Sequence, residues 1–445
     1  MTAPRLRMAV PVGAPLPLSL ARIVLANWLF ARGHAGQVTL RLEDARAEEQ
    51  GEGAEGVAHD LAWLGLDWDG VTGQGTSAER IARAAEALKA SGRLYPCFES
   101  PHELKAKRAR RLRLGQSGSY DRAMLKLSPE RRAAAEAGGK RPYWRFRLSG
   151  DTVAWDDLVL GRQQVALGTL SDPVMLRADG TPVPAFAGAV EDMASGITHV
   201  IRGADLLPTT AVARDLARAF GHDAAAIAYA HLPAADSGEE GLGARHAHHF
   251  TVRGLRHRGI EPDALVGYLA RLGTTGEAHP GTPAELASEF NLAAIGRKPP
   301  RFEWRRLLAA NRQALARLSF DCVAPRLPNG FTEAFWQAVR GSLDLLSEAR
   351  GYWDVVAGTI VPPVIAGEAE FLRAALCALP TEPWDASVWA RWTGALKQAT
   401  GRTGRSLTVP LRLALTGEEE GPNLQALLPL IGRSRVAQRL AVAAA

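Results

Sequence analysis

Along residues 5–43 the apolar positions change period twice. Leu6, Met8 and Val10 alternate with other residues, the two-residue period of a strand. Leu18, Ala21, Leu25 and Trp28 or Leu29 then recur at helical spacing, and Gly33 and Gly36 close that helix, expected over residues 20–32. Val38, Leu40 and Leu42 return to the strand period. A strand–helix–strand unit of this kind places its ligand site at the carboxyl ends of the strands and the amino end of the helix. Further helices are expected over residues 81–89 and 211–220, and edge strands of a separate inserted layer over residues 145–147 and 152–158. Beyond Phe320 the pattern is mostly that of amphipathic helices, broken at Pro328-Asn-Gly330, Pro362-Pro363 and Pro380.

Composition narrows the class. A chain of 445 residues is expected to hold several domains. No run of about 20 apolar residues occurs, so no membrane span is expected. The start, Met-Thr-Ala-Pro-Arg-Leu-Arg, leads directly into a strand and is too short for a signal peptide. Cys97, Cys322 and Cys377 lie far apart, as reduced cytoplasmic thiols do, rather than as a disulfide framework. The net charge of +6, with arginine in excess over lysine, is compatible with RNA phosphates and equally with an ordinary basic protein. The densest basic run, Lys105, Lys107, Arg108, Arg110, Arg111 and Arg113, is either a solvated helix face or a phosphate track. His246, His248 and His249 cluster in a loop with no placed partner, and no metal site is expected there.

Several motifs together resemble the glutamyl-tRNA synthetases, a family of class I aminoacyl-tRNA synthetases. They are Asn27-Trp-Leu-Phe-Ala-Arg-Gly-His34 followed by Leu40-Arg-Leu-Glu-Asp44, Leu61-Ala-Trp-Leu-Gly-Leu-Asp-Trp-Asp69, Leu176-Arg-Ala-Asp-Gly-Thr-Pro182 and Gly196-Ile-Thr-His-Val-Ile-Arg-Gly203. Gly404-Arg-Ser-Leu-Thr-Val-Pro-Leu-Arg-Leu-Ala-Leu-Thr-Gly417 extends the likeness to the C-terminal region. The resemblance implies an α/β plus all-α protein: a Rossmann-type nucleotide-binding core with an inserted acceptor-binding domain and a C-terminal helical anticodon-binding domain. The expected boundaries are 1–93 and 171–255 for the two halves of the core, 94–170 for the insertion, 256–318 for a stem-contact domain and 319–445 for the helical domain. The resemblance further implies ATP with Mg2+, L-glutamate and tRNA(Glu) as ligands, and a monomer. Arg7, Ala9, Glu43 and Arg202 would hold glutamate, with Arg202 reading the side-chain carboxylate. Ser19, Asp205, Leu242 and Arg245 would lie in the ATP region, Arg245 supplying charge near the phosphates. Lys105, Lys107, Arg108, Arg110 and Arg111 would contact tRNA. Some family members bind zinc through paired cysteines and a Tyr-x-x-x-Cys; here Glu99 and Met124 stand at two of those positions, so no zinc is expected.

The chain departs from the family at the chemistry of nucleotide activation. The family's His-Ile-Gly-His falls on Pro17-Leu18-Ser19-Leu20, without either imidazole or the glycine. Its Lys-Leu-Ser-Lys-Arg motif falls on Gly241-Leu-Gly-Ala-Arg245, preceded by Glu239 and Glu240, and no lysine occurs between Arg141 and Arg297. A substrate serine is replaced by Pro11 and a substrate tyrosine by Pro184. Two readings follow: a glutamate–tRNA ligase with altered ATP motifs, or a catalytically impaired paralog that binds tRNA or regulates. A third, a tRNA-base modifying enzyme, is disfavoured by the complete C-terminal region.

Overall fold

The computed structural model describes residues 3–43, 52–236, 250–358 and 360–445. The chain divides into two units, one comprising Met1–Leu255 and Val266–Glu303, the other Arg256–Leu265 and Trp304–Ala445.

The first unit is built on two groups of parallel strands. β1 (Arg5–Pro11), β2 (Gln37–Glu43) and β3 (Gly70–Gly73) form one sheet in the order β1-β2-β3, with Leu6 opposite Val38, Met8 opposite Leu40 and Val10 opposite Leu42. Leu6, Arg7 and Met8 are buried in succession, as in a parallel strand covered on both faces. The crossover helix α1 (Leu18–Gly33) starts two residues earlier than expected. It ends where Gly36 N–H reaches back to Ala31 O (2.7 Å). Gly36 packs against Pro4 O so closely that a Cβ would overlap it.

α1 is fixed in place by polar side chains on its inner face. Arg22, 5% exposed, donates to Pro233 O (2.7 Å) and Leu272 O (3.0 Å). Asn27 donates to Ile201 O (2.9 Å), and Trp28 Nε1 to Asp67 (2.8 Å). Helices α2 (Glu52–Trp63) and α3 (Gln74–Ala90) complete this half.

An antiparallel sheet in the order β4-β5-β8 joins β4 (Leu94–Cys97), β5 (Tyr143–Phe146) and β8 (Val174–Leu176), with a separate hairpin of β6 (Thr152–Asp157) and β7 (Gly161–Ala166). β5 is therefore a central strand and not the edge strand expected over residues 145–147. In the fold Arg145 donates to Asp172 O and lies over the Tyr120 ring at 4.3 Å, so the charge is accommodated inside the layer. Helix α4 (Pro101–Arg113) opens with a capping box between Ser100 and Glu103, and α5 (Pro129–Ala137) follows it.

After α6 (Pro184–Ala194), the parallel pair β9 (His199–Gly203) and β10 (Ala228–Leu232) is joined by α7 (Leu207–Ala219). β9 lies beside β1: Thr198 N donates to Arg5 O (3.0 Å), and Arg5 N to Thr198 Oγ1 (2.9 Å). The two strands form no ladder beyond that point. Phe146, Val153, Trp155, Phe186, Val200 and Tyr229 share one core, so the hairpin is packed onto the second strand pair.

The second unit is helical, with Phe335, Trp336, Leu372, Trp392, Leu411, Leu428 and Leu440 in its core. Glu261 belongs to it through Arg326 (3.0 Å) and through its N–H to Asn311 Oδ1 (2.6 Å). Among the described residues no helix is long and apolar enough to cross a membrane.

Candidate amino-acid site

Where β1 and β9 diverge, the first unit holds a cavity of about 710 Å3. Arg7, Ala9 and Pro11, alternate residues of β1, line it together with Arg41 and Glu43 of β2. Gly188 and Asp192 come from α6, Arg202 from β9, Tyr229 from β10 and Arg214 from α7. The site thus forms at the carboxyl ends of parallel strands, as the first βαβ unit predicts. Arg7, Ala9, Glu43 and Arg202, far apart in sequence, meet here.

One end of the cavity is electrically balanced. Asp192 Oδ1 accepts from Arg7 Nε (3.0 Å) and Arg41 Nη1 (2.6 Å). Arg41 also donates to Glu43 Oε1 (2.9 Å) and to Gly188 O (3.2 Å). A Cβ at position 188 would lie 3.0 Å from Arg41 Nη2, so glycine there lets the guanidinium rest on α6. Burial works to lower the Arg41 pKa, but Asp192 and then Glu43 outweigh it and raise it. Two arginines and two carboxylates leave no surplus charge at this end.

Arg202 provides the surplus. Among the described residues no carboxylate makes an ion pair with it. Burial lowers its pKa to about 10, so it stays cationic at neutral pH. Its guanidinium is held from behind: Nη2 donates to Thr210 Oγ1, and Nε to His231 Nε2 (3.4 Å). Thr210 Oγ1 lies 2.7 Å from His231 Nε2, and His231 Nδ1 lies 2.5 Å from Asp157 Oδ2. Hydrogen-bond complementarity assigns the proton to Nδ1, leaving Nε2 as acceptor. Asp157, at the end of β6, also accepts from the backbone N–H of Val159, Leu160 and His231 (2.9–3.1 Å). Burial would raise the Asp157 pKa; the hydrogen bonds from His231 and the backbone prevail and lower it. The Arg202 guanidinium also lies 5.5 Å from the Tyr229 ring centre. The buried Asn27 Oδ1 and Arg214 Nε, on two other lining residues, have no hydrogen-bond partner.

The remaining expected residues fall elsewhere. Ser19 is exposed at the amino end of α1, and Asp205 is exposed in the turn after β9; neither lines the cavity. Leu242, Arg245 and the histidines at 246, 248 and 249 lie outside the described residues. Residues 250 and 252 bond to the amino end of α1: Leu18 N donates to Phe250 O and Val252 N to Leu16 O, both at 2.9 Å. Leu18 is buried, and Leu20 lines the cavity.

On α4, Lys105, Arg108 and Arg110 are exposed, whereas Lys107 and Arg111 turn into the insertion. Lys107 pairs with Glu99, which also accepts from Tyr120 O–H (2.5 Å), and Arg111 Nε donates to Ser117 O (2.9 Å). With Arg113 also exposed, the basic run therefore divides into four outward and two inward residues. Next to Glu99, burial pushes the Cys97 thiol up to about 11. Among the described residues no group of three or more His, Cys, Asp or Glu could hold a metal ion.

Sequence reasoning did not single out Arg41, Asp192, Thr210, Asp157, Arg214 or His231 for the site. The signal for Arg41 was present: it precedes Glu43 by two residues and so shares its strand face. Asp192 is an acid in an otherwise mostly apolar helix. No local signal connects Asp157 to His231, 74 residues away.

Two family profiles match the chain: residues 14–305 match the family described as tRNA synthetases class I (E and Q), catalytic domain, and residues 366–444 match an anticodon binding domain. The chain is 53% identical over 422 residues to Glutamate–tRNA ligase 2 of Granulibacter bethesdensis, covering 94% of each protein. It is 53% identical over 426 residues to Glutamate–tRNA ligase 2 of Acidiphilium cryptum, covering 95% of this chain and 96% of the relative. The crystal structure of the glutamate-tRNA synthetase from Elizabethkingia anophelis superposes with a TM-score of 0.82 at 24% identity, over 99% of both chains, and shares the fold.

Proposed function

Because the chain belongs to the glutamate–tRNA ligase family of class I aminoacyl-tRNA synthetases, we propose that the cavity holds L-glutamate, which the protein activates with ATP and passes to tRNA(Glu). The observation that carries this reading is the unpaired cation at Arg202, a buried guanidinium held rigid by Thr210 and His231 inside a cavity of amino-acid size or larger. A buried cation without a counter-ion favours an acid over its neutral amide.

In this reading Arg202 takes the side-chain carboxylate. Glu43, already polarised by Arg41, accepts from the α-ammonium, and Ala9 contributes backbone along the open side of β1. The α-carboxylate is thereby held at the mouth formed by the strand ends, where it attacks the α-phosphorus of ATP and pyrophosphate leaves. The terminal hydroxyl of the tRNA then attacks the carbonyl carbon of the adenylate, forming the ester as AMP leaves. ATP brings the electrophilic phosphorus and its Mg2+; the chain supplies position and charge, with no protein nucleophile. The exposed Lys105, Arg108 and Arg110 suit tRNA phosphates.

Each missing phosphate donor costs on the order of 10²–10³ in rate, so a ligase of this sequence is slow. A second reading, a binding or regulatory paralog, is favoured by the amino end of α1. Leu18 and Leu20 offer hydrocarbon there, where activation needs donors.

Glutamate-dependent ATP–pyrophosphate exchange, with and without tRNA(Glu), decides between them. Exchange above background that Arg202→Ala abolishes is the expected result for a ligase. No exchange with tRNA binding retained would overturn the ligase reading in favour of the paralog.

A further inference from the structure

Two tyrosines of this chain share a buried carboxylate with a cation. Tyr95 O–H donates to Asp172 Oδ2 (2.7 Å), and Arg122 Nη2 to Asp172 Oδ1 (2.7 Å). Tyr120 O–H donates to Glu99 Oε2 (2.5 Å), and Lys107 Nζ to Glu99 Oε1. Asp172 and Glu99 are each less than a tenth exposed, and the hydroxyl and the cation take one oxygen apiece. Tyr229 and Arg202 make a third such couple, without the acid. The Arg202 guanidinium carbon lies 5.5 Å from the Tyr229 ring centre. Among the described residues no carboxylate makes an ion pair with Arg202, and none accepts from the Tyr229 hydroxyl.

That hydroxyl is idle and open to the cavity. Tyr229 is 5% exposed and lines the cavity, and its ring is stacked on His231, with 6.2 Å between centres and 15° between planes. Asn27 Oδ1, Tyr143 Oη and Arg214 Nε are sealed from solvent; Tyr229 Oη is not, and the surface it keeps faces the cavity. The charged groups acting on it are Arg202, Asp192, Arg7 and Arg214. Three of these are guanidinium ions, which only donate. The fourth, Asp192, is held through Oδ1 by Arg7 (3.0 Å) and Arg41 (2.6 Å). A hydroxyl proton without an acceptor thus stands beside a buried cation without a counter-ion. One carboxylate answers both, since two hydrogen bonds of about 2.7–2.9 Å meeting on it bridge a gap of the size seen between Arg202 and Tyr229.

We propose that Tyr229 is a substrate-binding residue whose hydroxyl, together with Arg202, holds the side-chain carboxylate of the bound amino acid, as Tyr95 and Arg122 together hold Asp172. The inference rests on the glutamate reading of the same cavity. Arg202 balances the single negative charge, and the neutral hydroxyl adds a directional bond to the second oxygen without adding charge.

The test is calorimetric titration of the full-length wild type and Tyr229→Phe with L-glutamate, beside thermal denaturation of both without ligand. Phenylalanine keeps the ring on His231 and removes only the hydroxyl. Because the hydroxyl bonds to nothing in the free protein, the midpoint without ligand is expected to stay where it is, while the glutamate Kd rises about ten- to hundredfold. A Kd within about twofold of wild type would overturn the contact and leave the glutamate reading standing. A lowered midpoint without ligand would assign the hydroxyl a structural role and also overturn it. A second measurement needs no variant. The chain has six tyrosines, of which Tyr229 lines the cavity. With the tyrosines carrying carbon-13 at Cζ, one of the six resonances is expected to move downfield on addition of glutamate, as a phenol does when it donates to a carboxylate. Glutamate binding by calorimetry with no tyrosine resonance displaced would overturn the proposal even if the variant fails to fold. If the wild type binds no glutamate, the glutamate reading fails and the contact with it.

Discussion

Thr210→Val is the sharpest test of how Arg202 is held. Thr210 is fully buried, and valine keeps its shape while removing the hydroxyl. The substitution deletes the contact from Arg202 Nη2 and the 2.7 Å contact to His231 Nε2. What remains behind the guanidinium is one long bond, Nε to His231 at 3.4 Å. A hydrogen bond to a charged group is worth about 1.5–3 kcal/mol. Bound glutamate would itself hold Arg202, so the cost divides between the free and bound protein. A loss of roughly 1–2 kcal/mol in binding follows, which raises the glutamate Kd about five- to thirtyfold. Calorimetric titration of wild type and variant measures it, with L-glutamine as the uncharged comparison. The acid-over-amide preference is expected to fall, because the lost order is that of the group reading the charge. A glutamate Kd within about twofold of wild type, the size of ordinary non-additivity, would refute the idea that Thr210 and His231 position Arg202.

Asp192→Asn leaves Arg7 and Arg41 sharing a neutral amide; breaking such a buried pairing costs about 3–5 kcal/mol, and thermal denaturation is expected to show a clearly lowered midpoint for the first unit. Asp157 carries a pKa below its ordinary 3.8, so the unfolded chain takes up that proton more readily than the folded one. Its contribution to stability is complete above 3.8 and is lost as pH falls through the lower folded value. Asp157→Asn is therefore expected to lower stability at neutral pH and to flatten its acid dependence, read by denaturant unfolding at stepped pH. Replacing Lys105, Arg108 and Arg110 together by alanine is expected to weaken tRNA binding and reduce the slope of log K against log salt by up to about 3. Lys107→Ala, whose ammonium already serves Glu99, is expected to change that slope less.

Much of this protein is local and therefore legible in sequence. The alternation in β1 and β2 and the helical spacing in α1 follow from side-chain period. The cap at Ser100 follows from a hydroxyl and a glutamate three residues apart. The exchange of His-Ile-Gly-His for Pro17-Leu18-Ser19-Leu20 needs no coordinates, because it is a change in the groups themselves. Pairing is what sequence leaves open. Residues 145–147 were expected at an edge, and only pairing with β4 on one side and β8 on the other makes β5 central. Lys107 and Arg108 are adjacent and chemically alike, yet one turns to Glu99 and the other to solvent, since a helix points successive residues about 100° apart. The charge state of the cavity is likewise tertiary. Arg7 and Arg41 are balanced by Asp192 and Glu43, Arg202 is braced by Asp157 through His231, and Arg214 keeps a buried Nε without a hydrogen-bond partner. Each outcome depends on which distant groups the folded chain brings within about 3 Å, the range over which a hydrogen bond forms, and no local pattern encodes that.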